Sequence, residues 1–283
     1  MTQPYPAGFQ SPAYVPVPQP RFRPLRGLAI AAIVLILGTT VLSCIHTVLF
    51  WTAFDDLEVD LAEALNDDDA DGLAGAMRQT LANGLLSNLT YAVAVGAAVL
   101  FLVWLNQARE NTAVIAPTAR HRLSPGWVIG SWFCPGVQFW FPLTIVDDIR
   151  RASSEPGTRP RGRGILYGWW AAWALYWLTV IVGFVLAVVT MISWALWISE
   201  ASEQGVVDDV RVRTDIVRFV HGIVIGLGIA TALLTIAGVL ACLVIWRITR
   251  MQAARGPVAF VPGQQATPYS PHFPTYGRPP GSD

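Results

Sequence analysis

The chain has 283 residues, 53% of them hydrophobic and only 13% charged, and its 19 basic residues balance 19 acidic ones. Soluble domains carry about a quarter charged residues, so this composition excludes an ordinary water-soluble globule. A net charge of zero gives no global pull toward nucleic acid.

Residues 1–26 are rich in Pro, with Tyr, Gln, Gly and Ser. Such a segment favours polyproline II and cannot bury a core, so it reads as a disordered tail. The first apolar run, 27–51, is long enough to span a bilayer, which takes about 20 apolar residues. Val41-Leu42-Ser43-Cys44 loosely resembles a lipidation box, but Ile45, Val48, Leu49, Phe50 and Trp51 continue the span past Cys44. The run therefore reads as an uncleaved anchor. Cys44 and Cys242 then read as small apolar groups.

The connection 52–88 is acidic, with Asp55, Asp56, Glu58, Asp60, Glu63, Asp67, Asp68, Asp69 and Asp71. Asp67–Gly72 matches the first half of a calcium loop. Arg78 stands where a bidentate Glu would close it, so a solvated turn is the better reading. The second run, 89–105, ends near Trp104 and is followed by Arg109 and Asn111. Gly126–Val146 is apolar and nearly long enough to cross, yet Pro135, Gly136 and Pro142 interrupt it. It reads as a Pro-broken re-entrant or interfacial segment, 126–147. Irregular backbone at membrane depth survives only when protein or water covers it. The expectation is that Trp132–Pro142 packs under Trp104, Trp170, Trp173 and Trp177, with Arg109 and Asn111 bonding its loose carbonyls.

The third run, 165–198, carries Trp169, Trp170 and Trp173 at one end and Trp194 and Trp197 at the other. About 24 residues, or roughly 36 Å of helix, separate the groups, close to the spacing of two aromatic belts. Trp51, Trp104 and Trp246 read as interface anchors in the same way. The fourth run, 223–246, has Gly222, Gly226, Ala230, Gly238 and Cys242 at multiples of four. That stripe suits close helix packing within the bundle, or a homo-oligomer seam through Gly222, Gly226 and Ala230. Residues 252–283 repeat the Pro-rich composition of the N-terminal tail.

Arginine placement sets the orientation expected. Fifteen arginines fall on the side of the two tails and the 106–164 connection; Arg78, Arg211, Arg213 and Arg218 fall on the other. Basic residues near span ends stay in the cytoplasm. Both termini are therefore expected inside a cell membrane, with 52–88 and 199–222 outside.

No G-x-S-x-G, H-E-x-x-H or P-loop lysine motif occurs. His46 and His221 sit near the outer ends of their runs, where a shared metal or proton site would need them to meet. No acid or arginine lies inside an apolar run to couple ions. No cofactor or metal is expected.

Phe101-Leu102-Val103-Trp104-Leu105 with Arg109 and Asn111, then Trp132-Phe133-Cys134-Pro135-Gly136, Pro142 and Asp147-Asp148-Ile149-Arg150-Arg151-Ala152-Ser153, form a recognisable series. It resembles the actinobacterial membrane family called domain of unknown function 4328, over roughly residues 85–250. The all-arginine basic set, with abundant Ala, Val and Gly, agrees with a high-GC source. The resemblance implies a multi-span membrane domain and supplies no catalytic residues.

The expected fold is an all-α integral membrane protein. It is a four-transmembrane-helix bundle over 27–251, flanked by disordered Pro-rich tails at 1–26 and 252–283. The structural candidates are Trp104, Arg109, Asn111, Trp132, Pro135 and Pro142. The expected function is a non-enzymatic scaffold or interaction protein, whose partners are the lipid bilayer and proteins that bind the Pro-rich tails, with no nucleic acid. The alternative is a channel or transporter component, with 126–147 as a half-embedded gate.

Overall fold

The structure is a computed structural model that describes residues 21–63, 70–155, 157, 162–204 and 209–256, with side chains described for these except 53–63, 70–83, 202–204, 209–213 and 216. The described residues form helices and no strand. They are α1 (Arg26–Glu63), α2 (Ala70–Ile115), α3 (Trp127–Gly130), a 3₁₀ turn (Val137–Phe139), α4 (Phe141–Ser153), α5 (Arg163–Gln204) and α6 (Asp209–Arg255).

Four helices carry stretches long and apolar enough to cross a membrane: Arg26–Thr52, Gly84–Ile115, Arg163–Ala201 and Val217–Arg255. Helical hydrogen bonding satisfies the backbone without water, which lipid requires. The region 52–88, expected as a loop, is helical up to Glu63 and again from Ala70. The calcium-like residues Asp67–Asp69 lie outside the described residues, as do the side chains of Asp71, Gly72 and Arg78. The Pro-rich tail segments 1–20 and 257–283 lie outside them too.

Two domain boundaries shift. Residues 252–255 complete α6, and Gln252 is fully buried, so the C-terminal tail does not begin at 252. On the other side Leu25 is already in the core, so the packed unit begins before residue 26.

The long helices pack in the order α2, α1, α6, α5, while α4 fits against α2, α5 and α6. The start of α1, the ends of α2 and α6 and the start of α5 share one end of the bundle, called here the tail-side end. Most of the core formed by the described residues lies there, including Leu25, Trp104, Val128, Ile149, Leu166 and Ile245. The far half is thin, and from Val180 to Ile198 most large apolar side chains of α5 are exposed. In water such a surface would drive aggregation; against lipid tails it is at equilibrium.

Close approaches of the long helices use small and hydroxylated residues. A Cβ on Gly96 would lie 3.3 Å from Leu35, and one on Gly238 only 2.8 Å from the Thr40 hydroxyl. Thr47 and Thr231 share a hydrogen bond of 2.7 Å. The small-residue stripe of α6 is therefore used in part. Gly238 meets α1, whereas a Cβ on Gly222 or Gly226 would meet nothing within 4 Å. These two glycines line an open groove of about 590 Å³ between α5 and α6.

The two histidines go separate ways. His46 Nε2 lies 3.0 Å from Ser87 Oγ on α2, while His221 Nδ1 contacts the carbonyl of Val217 on its own helix. Among the described residues no group of His, Cys, Asp and Glu is arranged to hold a metal.

Candidate functional site

At the tail-side end, polar side chains lie on the buried faces of three helices. On α2 the buried positions Trp104, Ala108, Asn111, Thr112 and Ile115 recur at helical spacing, and on α6 the same holds for Ile245, Ile248 and Gln252, with Arg255 half-buried beyond them. Where these faces meet, Asn111 and Gln252 are both 0% exposed. The Asn111 carboxamide oxygen accepts from the Arg23 backbone N–H at 3.0 Å. Its Nδ2 donates to the Arg23 carbonyl at 2.8 Å and to Gln252 Oε1 at 3.0 Å. Gln252 Nε2 in turn donates to the Ala108 carbonyl at 2.9 Å and to Ser153 Oγ at 3.0 Å. Ser153 donates onward to the carbonyl of Ile149. Both amides use every donor and their carbonyl oxygen, as burial in an apolar core demands. The network joins α2, α4 and α6 to the arm that precedes α1.

Arg255 closes the same end. Its Nη1 donates to the carbonyls of Ala152 (2.6 Å) and Ser154 (2.9 Å), and its Nη2 to that of Ile115 (2.7 Å). Ile115 ends α2 and Ser153 ends α4. One guanidinium therefore satisfies carbonyls left open at two helix C-termini and meets the negative ends of both dipoles.

α4 begins with Pro142 in its first turn, where a missing N–H costs no bond. It is strongly amphipathic and buries Asp147, Asp148 and Arg150 along with Ile145 and Ile149. Asp147, 2% exposed, contacts Arg150 Nη2 at 2.6 Å, Arg151 Nη2 at 2.6 Å and Arg122 Nη2 at 3.3 Å. Burial alone would raise the Asp147 pKa. The hydrogen bonds and charges of Arg150 and Arg151 outweigh it and hold the carboxyl below its usual range. Arg122 also bonds both oxygens of Asp148, with its backbone N–H and its Nε at 2.9 and 2.8 Å. This pins the 116–126 connection to α4.

Trp132 fills the space between α2 and α5. It stands edge-on to Phe101 (centroids 5.3 Å) and to Trp173 (5.8 Å), and packs on Trp169 (6.4 Å). Phe139 adds a contact with Trp173. Gly136 turns the chain with φ of 83°, a conformation that side-chain-bearing residues avoid. Pro135 is exposed in this turn.

The six sequence candidates fare unevenly. Trp132 packs on Trp173 and Trp169 of α5 and on Phe101 of α2; of the four tryptophans expected to cover it, Trp173 is the one whose ring meets it. Trp104, expected as an interface anchor, is fully buried in the core, and its indole N–H donates to Thr249 Oγ1 at 3.1 Å. Arg109 and Asn111 are not past the end of the second helix but inside it. Arg109 bonds a carbonyl, but that of Leu123 (2.8 Å), upstream of the Trp132–Pro142 segment. Asn111 bonds none of that segment. Pro142 starts a helix, and so marks where α4 begins.

His121 sits beside Arg109. Thr112 Oγ1 donates to the Arg109 carbonyl at 2.6 Å and lies 2.9 Å from His121 Nε2. With its proton committed, the hydroxyl accepts from Nε2–H, which leaves Nδ1 unprotonated. Nδ1 is buried without a partner among the described residues, as are Arg109 Nη1, Ser131 Oγ and Trp132 Nε1. Burial first, and the Arg109 charge second, push the His121 pKa down against a smaller opposing pull from Asp148.

Sequence reasoning missed Arg23, Ser153, Gln252 and Arg255. A basic residue in the last turn of a helix, as Arg255 is, was the one available signal.

The described residues define a helical protein with four membrane-length apolar segments and a polar, arginine-rich tail-side end. Residues 68–250 match the family model described as Domain of unknown function (DUF4328), and the chain belongs to that family. No curated protein and no solved structure matches it.

Proposed function

We propose that this protein is a non-enzymatic scaffold of the plasma membrane that presents two Pro-rich tails from one point on the cytoplasmic face. The observation that carries this reading is the junction of the two chain ends. The Phe22 ring lies so close to Gly256 that a Cβ there would overlap it. One residue on, Asn111 holds both backbone groups of Arg23, while the same amide holds Gln252 near the end of α6. Phe22 and Gly256, close to the attachment points of the two Pro-rich segments, therefore lie side by side. Two binding segments tethered this closely act on a partner at an effective concentration of order millimolar. The arginine distribution supports a cytoplasmic placement of this end.

The alternative gate at 126–147 would require Trp132 to leave Phe101, Trp169 and Trp173, which its packing opposes. The test compares the full-length chain with two full-length variants, one with the tail prolines of 1–20 changed to Ala and one with those of 257–283 changed. A partner co-purifying at fixed stoichiometry with the parent, and lost from both variants, is expected. Ion or solute flux in proteoliposomes, unchanged in both variants and without any partner, would contradict the scaffold reading.

A further inference from the structure

A cavity of about 810 Å³ lies at the tail-side end between α4, α5 and α6. Four arginines, Arg150, Arg247, Arg250 and Arg255, face one glutamate, Glu155, along its lining. Two of the four have structural work elsewhere: Arg150 pairs with Asp147, and Arg255 holds three carbonyls. Arg247 and Arg250 do not pair with any carboxylate among the described residues. The Arg247 guanidinium rests against Gly162, where φ of 88° admits no side chain without strain. Arg250 stacks over the Trp246 ring at 4.6 Å, which fixes its position without neutralising it. Gly162 immediately precedes α5, a helix of 42 residues whose first N–H groups have few helical partners and whose dipole is positive at this end. Ile165, Val244 and Met251 give the cavity an apolar wall.

We propose that this cavity binds an anionic phosphate group, carried in the membrane by the headgroup of an anionic phospholipid. Arg247 and Arg250 supply the opposing charge, and the N-terminus of α5 adds backbone donors. The apolar wall continues onto the lipid-facing sides of α5 and α6, where an acyl chain can lie. Basic pockets between membrane helices are suited to such headgroups. The proposal stands apart from the tails, so it survives or fails without them.

The test uses the full-length protein in detergent. Binding of dioleoylphosphatidylglycerol, dioleoylphosphatidylcholine and inorganic phosphate is read by native mass spectrometry and by the shift in unfolding midpoint. Phosphatidylglycerol should bind one per chain and raise the midpoint, and phosphatidylcholine should do neither. The double variant Arg247→Gln/Arg250→Gln should lose affinity about tenfold or more, which corresponds to about 1.4 kcal/mol. Arg21→Gln/Arg120→Gln removes equal charge from the same end outside the cavity and should bind like the parent. Arg247→Lys/Arg250→Lys keeps the charge and should stay within a few-fold. An equal shift with inorganic phosphate would support the phosphate site and make the free anion its source. Equal binding of both lipids by the parent overturns the proposal, and that readout needs no variant to fold. Equal loss in the Arg21/Arg120 control overturns it too.

Discussion

Asn111→Ala removes the amide that ties three parts of the tail-side end together, and its effect can be worked from the contacts. Three hydrogen bonds disappear, each worth about 1 kcal/mol net. Gln252 Oε1 is then stranded in a fully buried site, at about 1–3 kcal/mol. The backbone groups of Arg23 partly offset this, because an exposed arm can bond water instead. The expected loss is about 2–4 kcal/mol, a large share of the ~5–15 kcal/mol that holds a typical domain together. The assay is reversible denaturation of the detergent-solubilised chain, followed by tryptophan fluorescence. A second readout tests the tether itself. A cysteine at Arg21 should react faster with a thiol reagent when Asn111 is Ala. A stability within about 0.5 kcal/mol of the parent, with unchanged labelling at position 21, would show that the network does not hold the arm.

Arg255→Ala should cost about 2–3 kcal/mol, since it uncaps α2 and α4 together, and Arg255→Lys should recover only part, because a single ammonium cannot reach three carbonyls. Equal stability of the Ala and Lys variants in the same denaturation assay would refute the double cap. The pH dependence follows from His121 and Asp147. Both have pKa values lowered by folding, so the unfolded chain binds more protons, and the stability they confer is lost as pH falls. The His121 phase should begin below about pH 6.5 and the Asp147 phase below about pH 3.9. His121→Gln should remove the first phase, and a stability flat from neutral pH down to about 5 in the parent would contradict the assignment.

The membrane class was legible because long apolar runs leave lipid as the only solvent for their surfaces. The helix ends were not. Apolarity marks where lipid stops, whereas α2 runs on past Leu105 to Ile115 and α6 past Trp246 to Arg255. The extensions carry Asn111, Gln252 and Arg255, so an apolar-run boundary cuts through the middle of the site. Trp104 was misplaced for a related reason. An aromatic near a span end usually anchors the interface, but here Thr249 on α6 meets its indole from the far side. Asn111 found its partners 88 residues upstream and 141 residues downstream. That pairing depends on which long helices lie side by side, and periodicity within one helix carries no such information. Trp132 was placed in part: an interrupted segment in lipid must be covered, and Trp173 does cover it, but Phe101 and Trp169 stand where Trp104, Trp170 and Trp177 were expected.

The central claim is that both chain ends leave together from a cytoplasmic end, and one cross-linking measurement tests both halves of it. In a full-length chain with Cys44, Cys134 and Cys242 replaced, Phe22→Cys and Gly256→Cys are treated with a short, membrane-impermeant bis-maleimide. The account predicts an intramolecular cross-link, identified by mass spectrometry, in inverted membrane vesicles and none in intact cells. A cross-link formed in intact cells would reverse the orientation, and none in either preparation would separate the two tails and remove the basis for the scaffold.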